Sequence, residues 1–318
     1  MHIPDGFLDA KTALATATLS AAGLAYALRQ VRAELPPRKV PLLGLSAAFL
    51  FAAQMVNFPV VGGTSGHLVG AALVAALLGP SAAVVVLSTV LIVQCLLFAD
   101  GGLLALGANI FNMGLVATLF GYAVYEACRR LVGGTRGRVA AIAFAGWCSA
   151  VAASISCAGQ LAWSGTIPWP VALPAMAGVH MLIGVGEGLI SALVLLAVSR
   201  TRPDLLQGAL NPAPPSRTRG FVVLGLISSL GVALFVAPFA CPWPDGLESV
   251  AARLGFGSRA AAPLVATPLH DYRIPGLSSP AMATAAAGAV GTLVAFFLAL
   301  AFSRLVVRAR EEGKPTRP

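Results

Sequence analysis

Long apolar stretches recur along almost the whole chain, and they constrain its fold more than any other feature. Only 10% of the 318 residues are charged, against roughly a quarter in a typical soluble domain. Nine stretches reach or approach the ~20 apolar residues that a membrane-spanning helix needs. They are Leu8–Leu28, Pro41–Phe58, His67–Leu78, Ser81–Ala99, Ala105–Cys128, Val139–Trp163, Ala172–Val198, Gly220–Phe239 and Ala281–Phe302. The pattern predicts an all-α polytopic membrane protein.

The third stretch, His67–Leu78, is too short to span a bilayer alone, and Gly79-Pro80 separates it from the next. We expect a short helix or a re-entrant segment that is buried among the other helices, because lipid does not tolerate irregular backbone.

Basic residues cluster in alternate loops. Most of the 21 fall into four groups: Arg29, Arg32, Arg38 and Lys39; Arg129, Arg130, Arg136 and Arg138; Arg200, Arg202, Arg217 and Arg219; Arg304, Arg308, Arg310, Lys314 and Arg317. The positive-inside rule assigns these groups to the cytoplasm. It predicts an N-terminus outside and a C-terminus inside, which agrees with nine crossings if the short stretch counts as one. The net charge of +9 thus indicates topology and not nucleic-acid binding.

The chain divides into two blocks. Residues 1–200 hold seven apolar segments, and residues 201–219 form a polar, proline-rich cytoplasmic linker. Residues 220–318 hold two spans that flank an outer loop, residues 240–280. Within this loop, Asp245 followed by Glu248 is typical of a capping box, and it predicts a short helix to about Leu254.

The chain begins Met1-His2, and we expect no signal peptide before it. The terminal amine, the His2 peptide nitrogen and the His2 Nδ1 can then chelate one metal ion in a plane, which suits Ni(II) or Cu(II). His67 follows the glycine-rich run Gly62–Gly66 on the same outer side and can supply a fourth nitrogen. The alternatives are an inert N-terminus and an ordinary glycine-rich turn with His67 at the membrane interface.

Four amide side chains are candidates to support such a site. Gln54 and Asn57 share one face at the end of the second span, and Asn109 and Asn112 do so at the start of the fifth. Such amides either connect helices by hydrogen bonds or fix the ring orientation of His67.

Two ionisable residues, His180 and Glu187, lie two helical turns apart in the seventh span. Ionisable groups at membrane depth are functional candidates, so this pair is compatible with a proton-coupled transporter. The alternative is a packed polar pair within the bundle.

The sequence also excludes some activities. It lacks a Gly-x-x-x-x-Gly-Lys-Ser/Thr loop, so we predict no nucleotide site in this chain. No histidine lies near a Gly-x-Ser-x-Gly elbow, and we expect no enzymatic activity. Energy for concentrative transport must then come from partner proteins or from an ion gradient.

Several strings extend the argument beyond composition. They are Met1–Leu8, Asn57–Val60, Gly62–Leu68 and Gly107–Gly114 in the first block, and Pro244–Glu248 and Asp271–Leu277 in the second. With these strings, the first block resembles the substrate-capture subunit of nickel and cobalt energy-coupling factor transporters, over residues 1 to about 200. The second block resembles the small two-span accessory component that is often fused to it.

This resemblance implies a metal site made by the Met1 amine, the His2 backbone and ring nitrogens, and a nitrogen of His67. It implies seven spans in the first block of a multi-pass protein of the bacterial cytoplasmic membrane. It also implies two kinds of partner besides lipid: a transmembrane coupling subunit and cytoplasmic ATPases. The strings around Asn57 and His67 resemble the nickel branch, so Ni(II) is the expected transported substrate. Co(II) is the close alternative.

One added residue before Met1 should be as damaging to metal binding as the loss of His2. The extension converts the terminal amine into a peptide nitrogen and moves the new amine away from the His2 chelate. We expect an N-terminally tagged protein to hold no nickel after purification, whereas a tag after Pro318 should be harmless. Full nickel loading of the N-terminally tagged form would show that the terminus is not a ligand.

Overall fold

A computed structural model describes residues 1–206 and 215–311, which are largely helical. The helices are α1 Ala10–Glu34, α2 Val40–Gln54, α3 Ala71–Leu78, α4 Pro80–Phe98, α5 Leu106–Leu131, α6 Gly134–Trp163, α7 Trp169–Thr201, α8 Pro215–Phe235, α9 Gly246–Leu254 and α10 Pro280–Glu311. Two of them include π-helical turns, at Gln94–Phe98 in α4 and Ile110–Val116 in α5.

Within the described ranges, six helices are long and apolar enough to cross a membrane: α4 to α8 and α10. They confirm a helical, multi-pass membrane protein. By contrast, α2 has 15 residues and α3 has eight. At 1.5 Å per residue these helices are about 22 and 12 Å long, shorter than the ~30 Å hydrocarbon core. The count of nine crossings, and the side on which each terminus lies, therefore stay predictions.

The short helix α3 lies where the sequence predicted a buried segment. Its first five residues, Ala71 to Ala75, are buried. Gly70 precedes it with a left-handed backbone (φ 74°), and a Cβ atom there would lie 2.1 Å from the side chain of Leu50. Only glycine combines this conformation with so close an approach. The helix ends at Leu78, Gly79 follows it at positive φ, and Pro80 starts α4.

The fold is helical, as predicted, and a short β-hairpin connects α2 to α3. Strand β1, Phe58–Val60, pairs antiparallel with β2, Thr64–Gly66. Gly62 and Gly63 provide the positive φ angles of the turn, as hairpin turns commonly require. Because α2 ends at Gln54, Asn57 lies beyond the helix and does not share a helical face with Gln54, contrary to expectation.

The second block packs directly on the first. Helix α10 approaches α2 closely, since a Cβ atom on Gly44 would lie 3.0 Å from the carbonyl oxygen of Phe296. The outer loop folds back over the first block and shares its hydrophobic core, in which Leu247 and Phe256 join Ile3 and Phe7. The loop therefore needs no separate core. Most of the predicted linker, residues 207–214, lies outside the described residues.

The predicted capping box at the start of α9 is confirmed. The Glu248 N–H donates to Asp245 Oδ1 at 2.8 Å, and the Asp245 N–H donates to Glu248 Oε2 at 3.0 Å. The helix ends at Leu254, as expected, and Gly255 follows in a left-handed conformation.

Candidate metal centre

The N-terminal segment is largely buried and is held in place by polar contacts. Met1 is 3% exposed and Ile3 is fully buried. Asn109 forms a two-point contact with the backbone of Ile3: its Oδ1 accepts from the Ile3 N–H at 2.8 Å, and its Nδ2 donates to the Ile3 carbonyl at 3.1 Å. The Asp5 carboxylate accepts backbone N–H groups just before α5, from Leu104 at 2.9 Å among others. These contacts fix the positions of Ile3 and Asp5, and so they restrict where the Met1 amine can lie.

The terminal amine of Met1 lies between two side chains from distant parts of the sequence. It is 3.0 Å from His67 Nε2 and 2.6 Å from Asp245 Oδ2. On the other side of its ring, His67 Nδ1 lies 3.3 Å from the carbonyl oxygen of Leu68. A proton on Nδ1 that is donated to this oxygen leaves the lone pair of Nε2 directed at the amine.

His2 contributes a second imidazole beside the first. The ring centroids of His2 and His67 are 5.3 Å apart, with an angle of 41° between the ring planes. His2 Nδ1 is buried and has no hydrogen-bond partner, although Asp100 Oδ1 lies 3.5 Å away. A buried polar atom without a partner is costly, and this atom is the one that a chelate through His2 would use.

The charges around the amine favour free lone pairs on both rings. Burial, reinforced by the nearby terminal ammonium, lowers the pKa of His2 and of His67 to about 3. Both imidazoles are therefore neutral at physiological pH. For Asp245, burial alone would raise the pKa, but the ammonium and His67 outweigh it and the pKa is lowered. The carboxylate is thus ionised beside the ammonium.

The distance between the Met1 amine and His67 Nε2 is compatible with two adjacent ligands of one metal ion. Two ligands at right angles, each about 2 Å from a metal, are about 2.8 Å apart, close to the 3.0 Å between Met1 N and His67 Nε2. Throughout residues 1–206 and 215–311, no group of three or more His, Cys, Asp or Glu side chains is placed to hold a metal.

A cavity of about 680 Å³ lies between the outer loop and the first block, and His2 and His67 are part of its wall. Carboxylates outnumber basic groups in this wall. The acidic residues are Asp100, Asp245, Glu248 and Asp271, and Arg273 is basic. Such a lining attracts cations, because carboxylates in a cleft concentrate the negative potential.

Comparison with known proteins identifies the family. Residues 2–205 match the family described as the cobalt uptake substrate-specific transmembrane region, CbiM. The chain belongs to this family. Residues 219–308 match the PDGLE domain, so the CbiM region and the PDGLE domain are fused in one chain, as the resemblance implied.

Similar proteins carry the same fusion or the same region. A putative fused nickel transport protein NikMN of Archaeoglobus fulgidus is 38% identical over 96% of this chain and 98% of its own length. A cobalt transport protein CbiM of Geobacter sulfurreducens is 30% identical over 85% and 83%. A crystal structure of a truncated transition metal transporter is 34% identical, covers 63% of this chain and 99% of its own, and has a TM-score of 0.58. The CbiM-family chain is thus a component of metal uptake and a transporter, not an enzyme.

Two of the four predicted amides hold the backbone next to the candidate ligands. Asn109 binds Ile3, as described above. Gln54 donates to the carbonyl oxygen of Val69 at 3.1 Å and accepts from Gln94 at 2.9 Å, inside the CbiM region. Both amides bind the backbone close to His2 or His67, and they do not bind the imidazole rings.

The other two amides have different surroundings. Asn112 exchanges hydrogen bonds with Gln160 of α6, at 2.9 and 2.7 Å, so it connects two helices. It does not share its surroundings with Asn109, because the helix becomes π-helical from Ile110 onward. Asn57 lines the cavity, and its carbonyl oxygen accepts the N–H of Cys241 at 2.9 Å.

The buried residues His180 and Glu187 have separate partners. His180 Nδ1 lies 2.8 Å from the carbonyl oxygen of Met176 in the preceding turn. The Glu187 carboxylate accepts the N–H groups of Val69 and Gly70 at 2.6 and 2.8 Å. It therefore anchors the segment between His67 and α3, which favours the packing interpretation of this residue.

Sequence reasoning missed the residues that the PDGLE domain brings to the site. Asp245 was predicted to cap a helix and lies in the string Pro244–Glu248, but it was given no role at the site. Tyr272, whose hydroxyl donates to Asp100 at 2.5 Å and whose ring stacks on Phe98, lies in the string Asp271–Leu277 and was likewise given no role there. The position of Asp245 beside Met1 becomes visible only once the outer loop is folded over the first block.

Replacing Asn109 with alanine should free the N-terminal segment, because both hydrogen bonds to Ile3 are lost. We expect the Met1 amine to react faster with an amine-specific acylating reagent, as measured by mass spectrometry of the N-terminal peptide. Asn112→Ala is the matched control, since it removes the same side chain three residues along but loses only contacts to α6. Equal labelling rates in the two variants would contradict the assigned role of Asn109.

Proposed function

We propose that this chain captures Ni(II) outside the cytoplasmic membrane and delivers it inward as the substrate-specific component of an ATP-driven energy-coupling factor transporter. One observation carries the proposal. The buried terminal amine lies within 3.0 Å of His67 Nε2, and the unpartnered His2 Nδ1 is buried in the same pocket.

The proposed ligands are four nitrogens: the Met1 amine, the His2 peptide nitrogen, His2 Nδ1 and His67 Nε2. The first three come from consecutive positions of one chain and close two chelate rings. His67 then fills the corner opposite the peptide nitrogen, next to the amine. A planar set of strong nitrogen donors favours Ni(II) over ions that prefer oxygen-rich octahedral sites.

Cobalt is the alternative substrate, and the comparisons support both metals. The relatives include proteins named for nickel transport and proteins named for cobalt transport, and the family description itself names cobalt. The planar nitrogen set is the reason to prefer nickel. Copper would bind such a site more tightly by intrinsic affinity, so its exclusion has to depend on supply or access.

Energy coupling is assigned to partners, because the 318-residue sequence has no phosphate-binding loop of the Walker type. We propose a transmembrane coupling subunit and cytoplasmic ATPases. The rival is a self-contained proton-coupled transporter that uses His180 and Glu187. The two backbone hydrogen bonds to Glu187 argue against it, since a protonated carboxyl could not accept both equally well.

His2→Ala and His67→Ala should each abolish tight nickel binding and leave the protein folded. Each removes one imidazole from the proposed plane, and both side chains line the cavity outside the long helices. Nickel content per protein after purification without a metal-affinity step measures the effect. His270→Ala is the matched control, because His270 lies exposed in the outer loop. Nickel at the wild-type level in either site variant would refute the ligand assignment.

The chain expressed alone, in a host without the coupling subunit and ATPases, should not concentrate nickel. Accumulation of radioactive nickel by whole cells, with and without the partner genes, tests this expectation. Robust uptake by the isolated chain that is collapsed by a protonophore and by Glu187→Gln would favour the proton-coupled rival instead.

A further inference from the structure

We infer that Asp245, from the PDGLE domain, positions the terminal amine of Met1 for metal ligation, so that the second block supplies a working part of the metal site. The inference rests on the proposed function, since it concerns the amine that we propose as a ligand. Asp245 is a positioning residue in this account and does not itself bind the metal.

The two carboxylate oxygens of Asp245 have separate tasks. Oδ1 accepts the N–H of Glu248 at 2.8 Å and so caps α9. Oδ2 lies 2.6 Å from the Met1 amine. Because the cap fixes the first oxygen relative to the helix, the second oxygen has little freedom and defines where the amine must lie.

Helix α9 is in turn fixed against the hairpin that carries His67. The N–H of Ser65 donates to the carbonyl oxygen of Pro244 at 2.8 Å, and the Ser65 hydroxyl donates to the carbonyl oxygen of Trp243 at 2.7 Å. Ser65 lies two residues before His67, and Pro244 immediately precedes Asp245. One junction therefore sets the distance between the imidazole and the carboxylate that contact the amine.

The chemistry of the amine explains why a carboxylate belongs there. The ammonium of the metal-free protein has three N–H bonds. On ligation one proton leaves to solvent and its electron pair binds the metal, so two N–H bonds remain. One of them can keep its bond to Asp245 Oδ2, which turns the lone pair toward His67 and the metal. Partners that hold a ligand in this way typically contribute 10–100-fold to metal affinity.

Three substitutions separate the positioning role from the capping role. Asp245→Asn and Asp245→Ser keep good helix caps but remove the negative charge, whereas Asp245→Glu keeps the charge with a poorer cap. We expect Asp245→Asn and Asp245→Ser to weaken Ni(II) binding by about 10–100-fold. We expect Asp245→Glu to retain more affinity for Ni(II) than either of them. If Asp245 only capped α9, Asp245→Glu would lose more nickel affinity than Asp245→Asn or Asp245→Ser.

Two controls complete the experiment, which measures nickel affinity and thermal unfolding of the full chain in detergent. Asp9→Asn makes the same chemical change at the cap of α1, where Asp9 Oδ1 accepts from Thr12 N–H at 2.9 Å, and should leave nickel affinity unchanged. Glu248→Ala removes the other half of the α9 capping box together with a cavity carboxylate, but it leaves the bond between Asp245 and the Met1 amine. An affinity loss as large in Glu248→Ala as in Asp245→Ser would overturn the inference.

The outcomes also distinguish this inference from the proposed function. If the wild-type protein holds no nickel, or if His67→Ala holds as much as wild type, the proposed ligand set is wrong whatever Asp245 does. If nickel binding depends on His67 but Asp245→Asn and Asp245→Ser bind like wild type, only the positioning role is wrong.

Discussion

The interaction on which the site depends is the burial of a charged chain terminus between an imidazole and a carboxylate. A buried ammonium is tolerated only with a partner, and Asp245 supplies it at 2.6 Å while His67 lies 3.0 Å away. Because the terminus has to reach this position, the residues behind it are fixed as well. Asn109 holds Ile3, and Asp5 binds backbone N–H groups just before α5. The hairpin and the outer loop complete the enclosure.

Three segments that are far apart in sequence therefore meet at one point. The N-terminus belongs to the beginning of the CbiM region, His67 to the hairpin between α2 and α3, and Asp245 to the PDGLE domain. Hydrogen bonds connect them pairwise, most directly between Ser65 and Pro244. The fusion of the two regions in one chain keeps the outer loop next to the site, which gives the second block a physical reason to accompany the first.

Much of this could be predicted from the sequence, because the relevant signals are local. Apolar length predicted the long helices, and the spacing of Asp245 and Glu248 predicted the capping box. Met1-His2, together with the histidine that follows the glycine-rich run Gly62–Gly66, predicted which residues would meet. Other features depend on tertiary contacts that no periodicity encodes. The hairpin ended α2 before Asn57, a π-helical segment separated the roles of Asn109 and Asn112, and Glu187 bonds to backbone groups more than one hundred residues away. The contact between Asp245 and Met1 joins residues 244 positions apart, and neither the helix cap nor the strings that contain these residues predicted it.

The central claim is that the terminal amine, the His2 peptide nitrogen and two imidazoles bind one metal ion in a plane. X-ray absorption spectroscopy of the nickel-loaded full chain, with its native N-terminus, tests it most directly. The account predicts four nitrogen ligands at about 2 Å in a square-planar, diamagnetic Ni(II) complex. A six-coordinate, paramagnetic centre with oxygen ligands would contradict it.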